Sequence, residues 1–385
     1  MQERDPIRVV IWGLDATGLA MAQLVWRRPG LLPVGAIGTD PGQVGRDLGE
    51  LVGFGERFGV TVGNDPMGVL TAARADVTLI SAGAGTRVAE AAPKVLQAME
   101  AGSNVICLAE EMTYPWATRP DLADSLDELA HAHGVTVLGT GVNPGFVMDT
   151  LAIALTGCCM DVERIKAMRA IDLKPVGAQE LKAMGIGMKP SQYNEQQPGP
   201  EHVGLEQSIH LIADALGWSL DRVEQDRRPL LAESRVEVEG IRVDPGQVAG
   251  RVDAAIGYVG GLPKIVMEHP QSVGHDETVV QTGDYIDIEG KPSIRLSIQP
   301  EIHAVDGAAA IAVNMIAPVL QSGPGLKTMA DMPVPRAVLG DLREMLTVKG
   351  PTIDEELAVG WHVPGLGGHE EGLSGFPGES TPGGS

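Results

Sequence analysis

The first 150 residues alternate short apolar runs with longer stretches whose apolar positions have helical spacing. Each apolar run has the length and continuity of a strand that is buried on both faces of a sheet. We interpret as strands the runs at residues 9–12, 32–39, 76–82, 104–108 and 135–138. This alternation predicts an α/β fold with a Rossmann-type, doubly wound parallel sheet.

The first predicted strand runs into a glycine turn and then a helix, in the sequence IRVVIWGLDATGLAMA. Such a turn exposes backbone N–H groups at a helix N-terminus, where a pyrophosphate can bind. Asp15 stands where the dinucleotide-binding pattern has its second glycine, and a carboxylate there repels phosphate unless it points away. The turn alone therefore fits either a cofactor site or a structural bend. The residues that would hold the cofactor are Gly13, Leu14, Asp15, Ala16, Thr17 and Gly18.

The loops that follow the other predicted strands should meet at one edge of the sheet, where ligands bind in such folds. Three of these loops carry small or polar residues: Ser81-Ala82-Gly83, Ala109-Glu110-Glu111 and Asn143-Pro144. Their convergence with the glycine turn favours a nucleotide site, and we expect Ser81, Ala82, Gly83 and Ala109 to contact the cofactor.

The end of the second strand should distinguish NAD from NADP, because an acidic residue there binds the ribose hydroxyls of NAD. Gly38 stands near that point, and Thr39 and Asp40 follow it. Arg46 in the same loop is suited to a 2′-phosphate or to a simple surface position. The cofactor is therefore expected to be NAD or NADP, without a choice between them.

From about residue 148 the pattern changes to closely spaced strand-like runs at 234–243, 247–259, 264–268, 277–289 and 292–302. These predict a mainly antiparallel sheet in an α+β second domain. The expected boundaries are 1–147 for a dinucleotide-binding domain and 148–350 for a substrate-binding and dimerisation domain whose last helices return to the first. Residues 351–385 are rich in Gly, Pro, Ser and Glu, which predicts a mostly disordered tail.

The amino-acid composition argues against some classes of binding partner. The 385 residues carry 29 Lys plus Arg against 51 Asp plus Glu, a net charge of −22, which argues against nucleic acid or an anionic membrane. Cys107, Cys158 and Cys159 suggest neither a disulfide framework nor a zinc site, and we expect no metal. The charged start and the lack of a run of about 18 apolar residues lead us to expect a cytoplasmic protein.

Several stretches resemble 2,4-diaminopentanoate dehydrogenase and the related NAD(P)-dependent amine dehydrogenases, whose N-terminal domain is similar to dihydrodipicolinate reductase. They are VGAIGTDPGQVGRDLGEL, CLAEEMTYP, GTGVNPGFVMD, EHVGLEQS and HAVDGAAAIAVNMIAPVLQSGPGLKTMADMP. The resemblance implies reversible oxidative deamination of an amine to a ketone and ammonia, with a nicotinamide cofactor. It also implies a homodimer and an active-site glutamate in the segment that matches Glu110-Glu111.

The chemistry needs a carboxylate that accepts the ammonium proton and stabilises the iminium cation. We take Glu111 as this group, with Glu110 as the alternative, and expect an upward pKa shift from burial or from the neighbouring carboxylate. On an extended segment only one of the two would face the site. Other residues that would contact the substrate are Asn143 and His202 as hydrogen-bonding groups, Pro144, Phe146 and Met148 in the same loop, and Arg169 or Lys174 on a substrate carboxylate.

Two alternatives stay open on the sequence alone. Another Rossmann oxidoreductase, of the dihydrodipicolinate reductase type, would place a catalytic lysine or a histidine pair beside the nicotinamide, whereas the matching loop has glutamates. A non-catalytic nucleotide-binding protein would explain Asp15 in the glycine turn. His131 and His133 end a predicted helix, where an imidazole suits the helix dipole better than a metal.

Overall fold

The computed structural model describes residues 5–83, 85–199, 203–274 and 281–347. Its strands are β1 (Ile7–Trp12), β2 (Leu31–Ile37), β3 (Val62–Gly63), β4 (Val77–Ile80), β5 (Asn104–Cys107), β6 (Thr136–Gly139), β7 (Asp161–Asp172), β8 (Arg222–Leu231), β9 (Val236–Val238), β10 (Ile241–Val243), β11 (Val248–Val259), β12 (Leu262–Ser272), β13 (Gly283–Lys291), β14 (Ile294–Ile298) and β15 (Gly325–Lys327). Its α-helices are α1 (Ala16–Arg27), α2 (Leu48–Val52), α3 (Pro66–Ala73), α4 (Val88–Glu100), α5 (Pro120–His133), α6 (Thr150–Thr156), α7 (Ala178–Ala183), α8 (Pro190–Gln196), α9 (Leu205–Ala215), α10 (Ala304–Asn314) and α11 (Ile316–Gln321).

The first sheet has seven parallel strands in the order β15-β6-β5-β4-β1-β2-β3. β1 lies inside the sheet, and its Val9, Val10 and Ile11 are fully buried because helices cover both faces. The strand order reverses between β1 and β4, which is where ligands bind in doubly wound sheets. The predicted Rossmann-type fold is confirmed.

The chain returns to the first sheet after the second one is complete. α10 and α11 bury their apolar residues in the same core as α1, and β15 pairs in parallel with β6. By length and composition, Ala304–Gln321 is apolar enough to cross a membrane, although Asp306 and Asn314 interrupt its apolar sequence. Here its buried residues pack against the first sheet, and that packing accounts for its apolar composition.

The second sheet has six strands in the order β14-β13-β7-β12-β11-β8, and every neighbouring pair is antiparallel except β7 with β12. One face is covered by α6 and α9, which pack on Ile165, Ala255 and Met267. β9 and β10 form a separate hairpin. The predicted second domain with a mainly antiparallel sheet is confirmed.

Two strands of the second sheet were not predicted from the sequence, and one of them, β7, lies inside the sheet. Its sequence DVERIKAMRAID and that of β8, RVEQDRRPLL, contain too many charged residues to resemble strands. The charges are tolerated because other strands supply partners for them, as in the ion pair between Lys166 of β7 and Glu268 of β12. The run at 234–243, predicted as one strand, is the β9–β10 hairpin. The predicted tail, 351–385, lies outside the described residues.

Candidate active site

The turn between β1 and α1 is too tight for any residue other than glycine at two positions. Gly13 has a φ of +94°, and a Cβ there would lie 2.9 Å from the carbonyl oxygen of Ser81. A Cβ on Gly18 would lie 1.9 Å from the carbonyl oxygen of Gly13. The two glycines therefore let the start of α1 pack directly on the end of β1, as a phosphate-binding turn requires.

The carboxylate of Asp15 is held at the start of α1. It caps α1 by accepting the N–H of Gly18 at 2.9 Å, and it accepts the hydroxyl of Ser81 at 2.7 Å. A carboxylate at a helix N-terminus is stabilised both by the free N–H groups and by the helix dipole. The residue that departs from the glycine pattern therefore has two hydrogen-bond donors of its own, Gly18 and Ser81.

A cavity of about 360 Å³ opens beside the turn, at the point where the strand order reverses. Predicted cofactor residues make up much of its lining: Gly13, Leu14, Asp15, Ser81, Ala82 and Gly83. Further lining residues come from just before α4 and from its first two turns, namely Thr86, Glu90 and Lys94, and local sequence patterns did not predict them. Ala16 and Thr17 are the first residues of α1, while Ala109 is fully buried behind the edge of the sheet.

The loop after β2 lies at the surface. Thr39, Asp40 and Arg46 are exposed, and Asp40 accepts the backbone N–H of Gly42 at 2.8 Å. The loop is tied to the glycine turn by Gln43, whose side-chain amide donates to the carbonyl of Leu14 at 3.0 Å.

The two glutamates lie in a 3₁₀ turn, Glu110–Thr113, so the expectation of an extended segment is wrong. Glu111 is only 3% exposed. It accepts the backbone N–H of Val88 at 2.8 Å, and its other oxygen lies 3.6 Å from the Nη1 of Arg87. These contacts fix the carboxylate against the first residues of α4.

The pKa of Glu110 is raised from 4.5 to about 7. Burial is the main cause, the hydrogen bond from the N–H of Gly85 lowers the pKa, and the charge of Glu111 raises it. A pKa near 7 suits a group that exchanges protons at neutral pH. The pair therefore combines one carboxylate fixed in place with one poised to titrate.

A second cavity, of about 530 Å³, lies between the loops of the first sheet and the inner face of the second. The first sheet contributes Arg87, Glu111 and Thr118, and the second domain contributes Glu206, Gln225, Asp226, Arg227 and Asp253. Its lining is strongly polar, with Gln225 donating to Glu206 at 2.9 Å and Arg227 paired with Asp253 at 2.5 Å. The sequence did not point to any of the residues from the second domain.

The short segment at the start of α4 borders both cavities. Thr86 and Glu90 line the cavity beside the glycine turn, and Arg87 lines the polar cavity. Glu111 is hydrogen-bonded to the same segment, since its carboxylate accepts the backbone N–H of Val88. The arrangement therefore places a buried carboxylate at the boundary between a nucleotide-type pocket and a polar pocket.

The predicted substrate loop at 139–149 packs against the start of α9. Asn143 and Pro144 are joined by a cis peptide bond, and a Cβ on Gly204 would lie 2.7 Å from the Cδ of Pro144. Asp149 joins the two elements by accepting the N–H of Gly145 and the hydroxyl of Ser208, each at 2.7 Å. This contact brings the loop beside the helix that carries Glu206.

Other predicted substrate residues have structural positions. Met148 is fully buried in the core under the second sheet, and Phe146 packs against both cores. Arg169 is buried, with its guanidinium 2.5 Å from Asp284 and 2.5 Å from the carbonyl of Ile302. These contacts hold Arg169 within the second domain. His202 lies outside the described residues.

Within the described part of the chain, no group of three or more His, Cys, Asp or Glu side chains is arranged to hold a metal ion. His131 lies in the last turn of α5, and its Nδ1 is 2.9 Å from the carbonyl oxygen of Asp127. Cys107, Cys158 and Cys159 are free thiols.

Known relatives identify the family. The 2,4-diaminopentanoate dehydrogenase C-terminal domain matches residues 146–348. Over 350 residues the chain is 39% identical to the 2,4-diaminopentanoate dehydrogenase of Acetoanaerobium sticklandii, covering 89% of this chain and 98% of that protein. This chain belongs to the 2,4-diaminopentanoate dehydrogenase family. It is an NAD(P)-dependent amine dehydrogenase, an oxidoreductase that acts on amine donors.

Further relatives support the same family and fold. The chain is 27% identical to an amine dehydrogenase of Streptomyces virginiae, over 86% of this chain and 98% of that protein. The solved structure of an amine dehydrogenase from Mycobacterium smegmatis superimposes with a TM-score of 0.75 at 26% identity, over 88% of this chain and all of that one. A biliverdin reductase from Synechocystis, at 14% identity and a TM-score of 0.51, shares the fold. The predicted family and enzyme class are confirmed, and both alternatives are set aside.

Proposed function

We propose that this enzyme catalyses the reversible oxidative deamination of a small amine, either a 2,4-diaminopentanoate-like diamino acid or a simple alkyl amine, to a ketone and ammonia. In the opposite direction it would aminate ketones or aldehydes. The observation that supports this proposal is the position of Glu111, a buried carboxylate on the segment that borders both the nucleotide-type cavity and the polar cavity.

NAD or NADP is the proposed cofactor, held by the glycine turn and by Ser81, Ala82 and Gly83. The residues fit such a group because a Cβ at Gly13 or Gly18 would fill the turn, and because the carboxylate of Asp15 is held in hydrogen bonds from Gly18 and Ser81. When bound, the nicotinamide would accept a hydride from the carbon that carries the amine. The exposed positions of Asp40 and Arg46 support the use of either cofactor.

Glu111 is the proposed catalytic carboxylate. In the deamination direction it would accept a proton from the substrate ammonium, leaving a neutral amine that can lose hydride to the cofactor. Once that proton has passed to bulk water, the restored negative charge of Glu111 would stabilise the iminium, and water would hydrolyse the iminium to the ketone and ammonia. The N–H of Val88 and the guanidinium of Arg87 orient it toward the polar cavity, so little reorganisation is needed. Glu110 is the alternative base, because its pKa of about 7 allows it to exchange protons near neutrality.

The polar cavity is the proposed substrate site. Carboxylates suited to ammonium groups and arginines suited to a carboxylate face the same space: Glu111, Glu206, Arg87 and Arg227. The relative from A. sticklandii is named for a substrate that carries groups of both kinds. The mixed charge of this lining supports a diamino acid over a purely apolar amine.

We also propose a homodimer that forms through the outer face of the second sheet. That face carries a largely apolar groove of about 330 Å³, lined by Met168, Leu230, Leu231 and Val252 among others. Arg228 and Glu268 also line the groove, and Glu268 is paired with both Arg228 and Lys166, so the groove has a charged edge. An apolar groove with a polar rim is typical of a subunit interface.

The test of the proposed reaction is an assay of the purified protein with NADH or NADPH, a panel of ketones and an excess of ammonium. We expect oxidation of the cofactor only when ketone and ammonium are both present, and reduction of NAD or NADP by the matching amine. Oxidation that proceeds equally well without ammonium would show a ketone reductase and contradict the proposal.

A further inference from the structure

Four carboxylates line the polar cavity: Glu111, Glu206, Asp226 and Asp253. Asp253 is paired with Arg227 and Asp226 is exposed, which leaves Glu111 and Glu206, from different domains, to be explained. Glu111 belongs to the loop after β5, and Glu206 lies in the first turn of α9. The proposed reaction of a single amine requires only one of them, so the second carboxylate needs a separate explanation.

Glu206 is fixed and half-buried. Gln225 of β8 donates its side-chain amide to Glu206 at 2.9 Å, which holds the carboxylate at the cavity wall. Burial raises the pKa of Glu206, and the charge of Glu111 raises it further. Glu111 has Arg87 nearby, whereas none of the lysines and arginines in the described ranges forms an ion pair with Glu206.

A capping hydrogen bond does not account for Glu206, although its place in the first turn of α9 lets the helix dipole stabilise its charge. The side chain of Gln207 accepts the N–H of Gly204 at 3.0 Å, so the neighbouring residue already performs the local capping contact. A carboxylate that is partly desolvated and lies near a second negative charge is costly to keep ionised. A cation that enters the cavity would remove that cost.

We propose that Glu206 binds a second ammonium group of the substrate and so selects diamines over monoamines. One amine would react beside Glu111, while the other would be held by Glu206 and stay intact. This inference rests on the proposed function, since it assigns a specificity residue to the same site. A charge-assisted hydrogen bond in a partly desolvated cavity has the strength needed for such selection.

The experiment compares Glu206→Gln with the parent enzyme on 2,4-diaminopentanoate, 2-aminopentanoate and 4-aminopentanoate, the last two each lacking one amine. We expect kcat/KM for the diamine to fall by about tenfold to hundredfold, the range of one hydrogen bond to a charged group, mainly through KM. Values for the monoamine that reacts should change little. Glu224→Gln is the matched control, because Glu224 is an exposed carboxylate of the same strand as Gln225 and lies outside the cavity lining.

Glu206→Asp provides a second variant that keeps the charge, and we expect it to retain part of the preference for the diamine. Equal losses on diamine and monoamine, or an unchanged preference in Glu206→Gln, would overturn the role of Glu206 while leaving the amine dehydrogenase reaction intact. A parent enzyme that oxidises the monoamine as well as the diamine would also overturn the role of Glu206 and leave the reaction intact. A parent enzyme that oxidises none of the three would overturn the proposed reaction as well.

Discussion

Ser81 donates its hydroxyl hydrogen to the carboxylate of Asp15 over 2.7 Å, joining the loop after β4 to the glycine turn after β1. Both residues line the cavity where the strand order reverses. The bond shows how an acidic residue occupies a position that the phosphate-binding pattern reserves for glycine. The carboxylate is used inside the turn, as a helix cap and as an acceptor for Ser81.

Asp15 and Ser81 should be energetically coupled. Asp15→Ala removes the cap of α1 and should lower the free energy of unfolding by about 1 kcal/mol, while Ser81→Ala should cost less. In the double variant the two losses should not add, with a coupling energy of about 0.5–1 kcal/mol. Urea unfolding of the parent, both single variants and the double variant measures this cycle. Strict additivity would show that the contact does not contribute to stability.

Gly18→Ala should abolish cofactor binding. Even one methyl group at this position meets the carbonyl oxygen of Gly13 at 1.9 Å, so the start of α1 must move away from the phosphate site. The measurement is a fluorescence titration with NADH and NADPH, with the melting temperature as a check on folding. Gly323→Ala is the control, because a Cβ there has open space around it. Parental affinity in Gly18→Ala would place the phosphate site elsewhere.

Glu111→Gln should lower turnover by about a hundredfold to ten-thousandfold, the usual contribution of one general base. Cofactor affinity should stay close to the parental value, because the glycine turn is untouched. The loss in reductive amination should be smaller at high pH, where free ammonia needs no base. The comparison variant is Glu110→Gln. If only that variant is inactive, the roles of the two glutamates are exchanged, and if both retain parental rates, the proposed mechanism is wrong.

Glu110→Gln should make the protein more stable at alkaline pH. The pKa of Glu110 rises from 4.5 to about 7 on folding, so the folded state resists its ionisation. The resulting destabilisation is absent below pH 4.5, grows between 4.5 and 7, and is complete above 7, where it amounts to roughly 3 kcal/mol. Urea unfolding of the parent and the variant without cofactor should therefore agree at pH 4 and differ at pH 8. Equal stability at both values would contradict the buried position of this carboxyl.

Leu231→Glu should dissociate the proposed homodimer. Leu231 is 46% exposed and lines the apolar groove on the outer face of the second sheet, so a charge there would be buried on association. Sedimentation velocity should give a dimer for the parent and a monomer for this variant. Leu339→Glu is the control, since Leu339 is 81% exposed and does not line the groove. A monomeric parent would remove the basis for the proposed interface.

The sequence by itself determined five of the seven strands of the first sheet and the glycine turn after β1, but not the short strands β3 and β15. A continuous apolar run such as Val9–Ile11 is stable in a strand that is covered on both faces. Gly13 and Gly18 are required by the local backbone, because a Cβ at either position would clash with a neighbouring carbonyl oxygen. The same logic placed Glu110 and Glu111 at the functional edge, because the carboxyl ends of parallel strands meet there.

The tertiary structure alone decided β7, the partner of Arg169 and the lining of the polar cavity. Arg169 and Asp284 lie 115 positions apart, so their neutralisation inside one sheet leaves no trace in local periodicity. Glu206 and Gln225 are in contact because α9 packs against the second sheet. Asp15 has a hydrogen-bond donor in Ser81 because the loop after β4 lies beside the glycine turn. Local sequence patterns show which side chains are buried on folding. The pairing of buried charges instead depends on contacts between residues that are distant in the sequence, and these exist only in the folded chain.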